Sequence, residues 1–328
     1  MTTLITGSGL VGTSFAQFAV RRDVRLVFYD VRPHGEYLRR KLPGADVEFV
    51  QGDILDLPAL LHAMTAHRVD TVVHTAGLVG NKVADAPYTG IRINVMGTIN
   101  VLEAVRLAGV RRLVHISSLS VYDQRRDPTA PLSEDFPRGE GRLYDNTKAA
   151  KELMVEAYQR LYGFEVIVLR LAKLYGLGHF QGGSAGGRLI QTLVECGLRG
   201  EVARVPRPLT TDFEYVYAKD VGRAVDIAAT IPPSAETCFN IGTGEVLTFD
   251  QLTGAIREVV PELEVEILPG PPPAVPMKQP IDCSRARDLL GWEPRYTMDE
   301  GFRDYLADLR DAAGEPIHSP KSSRNRSI

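Results

Sequence analysis

The sequence predicts an α/β fold: a doubly wound parallel sheet covered by helices, with a smaller C-terminal α/β lobe. Three observations lead there. Strand-like and helix-like stretches alternate through the first half of the chain, the pattern of parallel strands in one sheet with helices on both faces. A G-x-G-x-x-G run (Gly7, Gly9, Gly12) stands where the first apolar run meets the first helical pattern. Small and polar residues close the predicted strands, at the sheet end where ligands of such folds bind.

The first strand holds Leu4 and Ile5, and the helix after it shows Phe15, Phe18 and Ala19 on one face. Between them each glycine has a task. Gly7 allows a tight turn, Gly9 lets the backbone approach a pyrophosphate, and Gly12 lets helix and strand pack closely. Leu10 and Val11 open the helix, whose free N–H groups and dipole favour phosphate. VRLVFY (24–29) reads as the second strand, closed by Asp30. A carboxylate there accepts hydrogen bonds from the adenosine ribose and repels a 2′-phosphate, which favours NAD over NADP. The same aspartate also reads as a turn or cap, and Arg32 lies close by. VEFVQ (47–51) leads to Gly52-Asp53-Ile54, then a helical pattern from Asp56 to Ala66. DTVVHTAG (70–77) is a buried strand ending in Thr75, Ala76 and Gly77, small enough for backbone to pass under a flat ring. Ile91, Val95, Ile99, Leu102 and Val105 recur at helical spacing and predict one helix from Tyr88 to Ala108. RLVHIS (112–117) is the next strand. The result is a Rossmann-type sheet that binds a dinucleotide.

A second stretch carries reactive groups. Tyr144 and Lys148 stand four residues apart at the start of a helical run, so both side chains leave the same face. A neighbouring cation favours phenolate, and an oxidised nicotinamide would add to it. The pair could then act as a base near neutral pH, which a free tyrosine at about 10 cannot. The same spacing also occurs as an exposed helix pair. Ser118, at the end of the preceding strand, supplies a hydroxyl to hold a reacting oxygen, or else caps a turn.

Bulk properties narrow the class. The chain has 328 residues, 44% apolar and 24% charged, with net charge −3, ordinary for a soluble globular protein. No basic field points to nucleic acid. No stretch has the length of a membrane span, and no basic leader precedes the first strand. Cys196, Cys238 and Cys283 are far apart; they form no metal-ligand pair and read as reduced core thiols of a cytoplasmic protein.

Gly7/Gly9/Gly12, Asp30, Asp53, HTAG (74–77), NVMGTINVLEA (94–104), ISSLSVY (116–122) and Tyr144/Lys148 together resemble the extended short-chain dehydrogenase/reductases, in their NAD-dependent epimerase/dehydratase branch. LRLAKLYG (169–176), TTDFEYVYAKD (210–220), FNIGTGE (239–245) and SRARDLLGWEP (284–294) extend the resemblance over the ordered chain. It implies that Tyr144 is the catalytic base, that Lys148 tunes it and binds the nicotinamide ribose, and that Ser118 orients the substrate oxygen. It places Asn94 near the cofactor, NAD. The helices at 88–108 and 143–162 resemble those of a four-helix homodimer interface. The implied activity is hydride transfer from a secondary alcohol of a sugar, sugar acid or hydroxy acid. The alternative is a nucleotide-sugar (UDP-hexose type) 4-epimerase with tightly held NAD.

Departures sharpen the reading. The glycine loop is one residue shorter than the branch's usual form. Leu119 and Ser120 stand where dehydratases carry an Asp-Glu pair, so elimination lacks its acid and base. Lys173 replaces an Asn, and Thr211 an Arg, that serve a nucleotide diphosphate in related enzymes; the substrate here is then expected to lack a nucleotide. Lys173 reads as a contact to a carboxylate or phosphate, or as an exposed loop lysine. Farther along, FEVIVLR (164–170) is a strand. The segment Gly176–Gly187, with GGSAGG (182–187), reads as a lid over the substrate or a plain linker. Helices follow near Leu189–Gly197, Ala218–Thr230, Phe249–Val259 and Met298–Leu309. LPGPPPAVP (268–276) is an extended connector. Residues 1–172 with 212–243 form the expected cofactor domain, 173–211 with 244–313 the substrate lobe, and 314–328 a disordered tail.

Overall fold

In the computed structural model of this protein, residues 1–32, 35–178, 184–273 and 276–313 are described, with side chains to Arg310. β1 (Thr2–Thr6), α1 (Leu10–Ala19), β2 (Arg25–Asp30), α2 (Gly35–Lys41), β3 (Val47–Gln51), α3 (Leu57–Ala66) and β4 (Thr71–His74) alternate as expected. α4 (Asn81–Asp85), α5 (Pro87–Ile91) and α6 (Gly97–Ala108) lead to β5 (Arg112–Ser118), α7 (Leu143–Tyr162) and β6 (Glu165–Leu171). Then come β7 (Lys173–Tyr175), α8 (Ala185–Arg199), β8 (Val202–Pro206), β9 (Tyr215–Tyr217), α9 (Ala218–Thr230) and β10 (Cys238–Ile241). α10 (Phe249–Arg257), β11 (Glu264–Leu268) and α11 (Met298–Ala313) complete the chain.

Seven strands form one sheet in the order β10-β6-β5-β4-β1-β2-β3, and every paired strand in it is parallel. The order reverses between β1 and β4, and sheets of this kind hold ligands at such a point, outside the carboxyl ends of the strands. Successive residues of β1 face opposite ways. Ile5 joins Phe15, Phe28, Val114, Phe239 and Trp292 on the side covered by α1 and α9. Leu4 joins Val27, Leu60, Leu102 and Val155 on the side of α3, α6 and α7. A third core gathers Tyr175, Leu193, Tyr215, Leu252 and Phe302 from the later elements. Two small parallel pairs, β11-β8 and β7-β9, frame it.

The second half of the chain returns to the first through α9. A Cβ on Gly222 would stand 2.3 Å from the Ser14 carbonyl oxygen; only a residue without a side chain lets α9 lie this close to α1.

Three expectations are corrected. The helix foreseen from Tyr88 to Ala108 is α5 and α6 joined by a π-helical turn, Arg92–Met96. The wider turn rotates Asn94 inward, where it is buried; π-turns of this kind recur at functional sites. The glycine-rich loop ends sooner than foreseen. Ser184 caps α8 by accepting the Gly187 N–H at 3.1 Å, so Gly186 and Gly187 are helical. Residues 179–183 of that proposed lid lie outside the described residues. In the Pro-rich connector, Leu268 belongs to β11, and residues 274–275 are outside the described set. So is the tail from 314 onward.

Glu152 holds α7 to the sheet. Its carboxylate accepts from Arg170 at 2.8 Å, from Arg138 at 3.1 Å and from the Ser117 hydroxyl. Arg170 also donates to the Glu134 carbonyl at 2.8 Å. Removing one partner of such a buried pair leaves an uncompensated charge. Glu152→Ala should therefore lower the free energy of unfolding in urea by about 3–5 kcal/mol.

Candidate active site

The glycine loop lies between β1 and α1. Gly7 has φ +91°, and a Cβ there would strike the Thr75 hydroxyl at 2.8 Å. At Gly12 a Cβ would meet the Gly7 carbonyl at 2.5 Å, so this glycine sets the helix against the turn. A Cβ on Gly9 would meet nothing within 4 Å. No protein contact demands glycine at that point, and the space there is what a pyrophosphate needs in order to approach backbone. No side chain caps α1 and no acid stands in its first turn, so the N–H groups at Leu10, Val11 and Gly12 have no side-chain acceptor, as at a helix N-terminus suited to an anion. Asp30, at the end of β2, accepts from the Ser8 N–H at 2.7 Å and the Ser8 hydroxyl at 2.8 Å. One carboxylate oxygen thus orders the loop. The other accepts a long 3.3 Å bond from the Arg32 N–H.

The neighbouring strand ends complete this wall. Thr75 donates to the Thr6 carbonyl at 2.7 Å and lies under the loop. Ala76 bonds back to the Thr6 hydroxyl at 3.4 Å. Asp53 follows β3 and accepts from the Leu55 N–H at 2.9 Å. Ile54 is buried, and its carbonyl accepts from Asn100 at 2.9 Å. Asn94 turns its amide to Leu78, accepting the N–H at 2.8 Å and donating to the carbonyl at 3.0 Å; it also donates to Thr147 at 3.1 Å. Its side chain clamps the segment after β4 onto α7. Gly77, at φ +155°, passes directly over it.

Tyr144 and Lys148 occupy the first turns of α7, as the spacing implied. The Lys148 ammonium donates to the Ile116 carbonyl at 2.9 Å and stands 5.9 Å from the Tyr144 ring centre. Ser118 ends β5 and its hydroxyl faces the phenol. It also accepts from the Ser120 N–H at 3.2 Å. The electrostatics differ from expectation. Burial, aided by Asp145, pushes the Tyr144 pKa above its usual value; Ser118 and Arg142 oppose this without reversing it. Lys148 is itself drawn down to about 8 by burial. Burying both groups penalises their charges more than their proximity favours them. The protein alone thus positions the phenol but does not make it acidic.

Lys173 opens β7, just beyond Leu171, the residue that pairs with Ser118. It is not a free loop lysine. Its ammonium lies 3.3 Å from the Phe213 ring centre and 5.4 Å from that of Tyr215. Its stem runs against Gly186, where a Cβ would meet it at 2.1 Å. Burial and nearby Arg142 lower its pKa to about 7. Leu119 and Ser120 sit in a short 3₁₀ turn after Ser118, with no carboxylate in the dehydratase position.

Two features went unread in the sequence. Phe213 and Tyr215 cage Lys173, and a second lysine, Lys151, is buried on the same face of α7. The available signal was a lysine at the apolar spacing of an otherwise amphipathic helix. Among the described residues no group of His, Cys, Asp and Glu could hold a metal ion. No described helix is long and apolar enough to cross a membrane.

Comparison with known proteins agrees with this geometry. The profile of the NAD dependent epimerase/dehydratase family matches residues 3–242. The chain is 30% identical to a UDP-glucose 4-epimerase of Mycolicibacterium smegmatis over 317 residues, covering 95% of this chain and 99% of that one. It is 29% identical to a dTDP-glucose 4,6-dehydratase of Xanthomonas campestris, covering 92% and 91%. The structure of a Thermus thermophilus UDP-glucose 4-epimerase in complex with NAD superimposes with a TM-score of 0.82 at 26% identity, covering 94% of this chain and 99% of that one. A cradle open at Gly9, an uncapped α1, and Tyr144 with Lys148 and Ser118 at the strand ends fit the same cofactor. The chain belongs to the NAD-dependent epimerase/dehydratase family of extended short-chain dehydrogenase/reductases, and is an enzyme whose cofactor is NAD.

Proposed function

We propose that this enzyme oxidises a secondary alcohol on a sugar, sugar acid or hydroxy acid, with residues 1–172 and 212–243 holding NAD and the remaining ordered lobe holding the substrate. The observation that carries this is the Ser118 hydroxyl facing the Tyr144 phenol, with Lys148 one helical turn away. Ser118 holds the substrate oxygen, and Tyr144 takes the hydroxyl proton. Lys148 supplies positive charge beside the phenol. NAD, when bound, accepts the hydride and brings the further positive charge that favours the phenolate. Gly7, Gly9, Leu10, Val11, Gly12, Asp30, Asp53, Ile54, Thr75, Ala76, Gly77 and Asn94 line or brace its cleft, and Asp30 favours NAD over NADP. Tyr144→Phe should lower kcat by about two orders of magnitude or more, while calorimetry still finds NAD bound.

Lys173 supports an acidic group on the substrate. It makes no ion pair with any described residue, and the arginine beside it adds to the positive field. A carboxylate on a sugar acid or hydroxy acid would complete it. With a pKa of about 7, the ammonium is charged below that pH and lost above it. The KM for an acidic substrate should therefore rise as pH increases through 7. In Lys173→Met the KM should be about tenfold higher at pH 6 and flat across that range, with neutral sugars little affected.

The extent of likeness to the Mycolicibacterium UDP-glucose 4-epimerase favours a second reading, a UDP-hexose 4-epimerase that returns the hydride to the same substrate. Accumulation of NADH supports the dehydrogenase; epimer formation without NADH supports the epimerase. The missing Asp-Glu pair at 119–120 weighs against a dehydratase.

The assembly proposed is a homodimer through α5–α6 and α7. These helices and the π-turn between α5 and α6 expose Tyr88, Met96, Leu107, Leu153, Leu161 and Tyr162, large apolar side chains that a partner could cover. Light scattering at micromolar concentration should give twice the chain mass, and Leu161→Arg should shift it toward the monomer. The three free cysteines support a reducing, cytoplasmic setting.

A further inference from the structure

Lys151 has no part in the chemistry above. It follows Lys148 by three residues on α7, so the two side chains leave the same face. Only 2% of it is exposed, and its amine makes no hydrogen bond or ion pair with any described residue. The side chain reaches toward Gly77 and stops with Nζ 3.7 Å from where a Cβ on that glycine would stand.

The surroundings offer it no counter-charge. Glu152, next in sequence, is taken up by Arg170, Arg138 and Ser117. His74, on β4, is held between the hydroxyls of Thr6 and Thr98 at 2.7 and 3.0 Å. His115, on β5, has both ring nitrogens unpartnered. Burial keeps both imidazoles neutral. Burial and then Lys148 press the Lys151 amine toward its neutral form as well. A buried amine without a partner is costly to fold around. It becomes useful when a ligand rich in acceptors lies beside it, and a dinucleotide carries two phosphates and two ribose diols. The Thr75–Gly77 segment forms the cleft wall above this amine.

We propose that Lys151 is a second cofactor-binding lysine, which donates to bound NAD where the dinucleotide passes Gly77, so that α7 grips the cofactor with two amines rather than one. This rests on NAD lying in the cleft between the glycine loop and α7. A lysine that merely filled space beneath Gly77 would contribute to stability and leave affinity alone, so the two roles separate.

The test is titration of cofactor-stripped wild type, Lys151→Met and Lys151→Gln with NAD by calorimetry, together with thermal melts with and without NAD. Methionine keeps the length and removes the amine; glutamine restores a donor without the charge. Lys151→Met should bind NAD about tenfold more weakly and gain less melting temperature from it. Its NAD-free melting temperature should equal or exceed that of wild type, because an unpartnered buried amine has gone. Lys151→Gln should fall between the two in affinity. NAD binding within twofold of wild type in Lys151→Met would overturn the proposal, and if that variant does not fold, the same criterion applies to Lys151→Leu, which also lacks a donor. Wild type that binds NAD while the variants match it overturns the role of Lys151 alone. Wild type that does not bind NAD overturns the cofactor reading and this proposal with it.

Discussion

The active site depends on one buried ion pair. Glu152 faces Arg170 inside the protein, and the bond between them ties α7 to the sheet. A helix is rigid over eight residues, and positions four apart lie along one face. Fixing Glu152 over β5 and β6 therefore fixes Lys148 one turn earlier, at the Ile116 carbonyl, and Tyr144 two turns earlier, beside Ser118. The charge does not make the fold stable in the way an apolar core does, since desolvation offsets much of its attraction. What it supplies is register. A one-residue rotation of α7 would leave both charges unpaired, and that penalty holds the phenol at the end of β5.

Charge in the cleft is arranged by burial as much as by contact. Tyr144 is pushed up, while Lys148 and Lys173 are drawn down to about 8 and about 7. All three shifts have burial as their leading cause. In the protein alone the phenol is held neutral, and the two lysines keep their protons less tightly than free amines do. The aromatic faces of Phe213 and Tyr215 hold the Lys173 ammonium without an opposing charge.

The later core lies against the sheet because the chain crosses back. α9 lies against α1 at Gly222 and so covers the same face of the sheet. Glu214, just before β9, is fully buried and accepts N–H groups of Thr243, Gly244 and Ile281 at 2.8, 2.9 and 2.8 Å. Burial raises its pKa to about 7 against those three bonds. One carboxylate thus fastens the loop after β10 and the segment at Ile281 to the strand that follows Phe213. The aromatic pair around Lys173 is thus braced by segments distant in sequence.

The sequence by itself determined the sheet, the glycine turn and the strand ends that carry Asp30, Asp53, Thr75–Gly77 and Ser118. It also determined that Tyr144 and Lys148 share a helix face. These are read from short windows, because alternation, helical spacing and turn chemistry are local properties of the backbone. The tertiary structure alone decided four other things: the π-turn that buries Asn94, the pairing of Glu152 with Arg170, the aromatic cage around Lys173 and the burial of Lys151. It also reversed the expected direction of the Tyr144 shift. Each of these depends on which distant segments pack together and how much water they exclude. A buried charge has its energy set by that surrounding, and no window of neighbouring residues contains it.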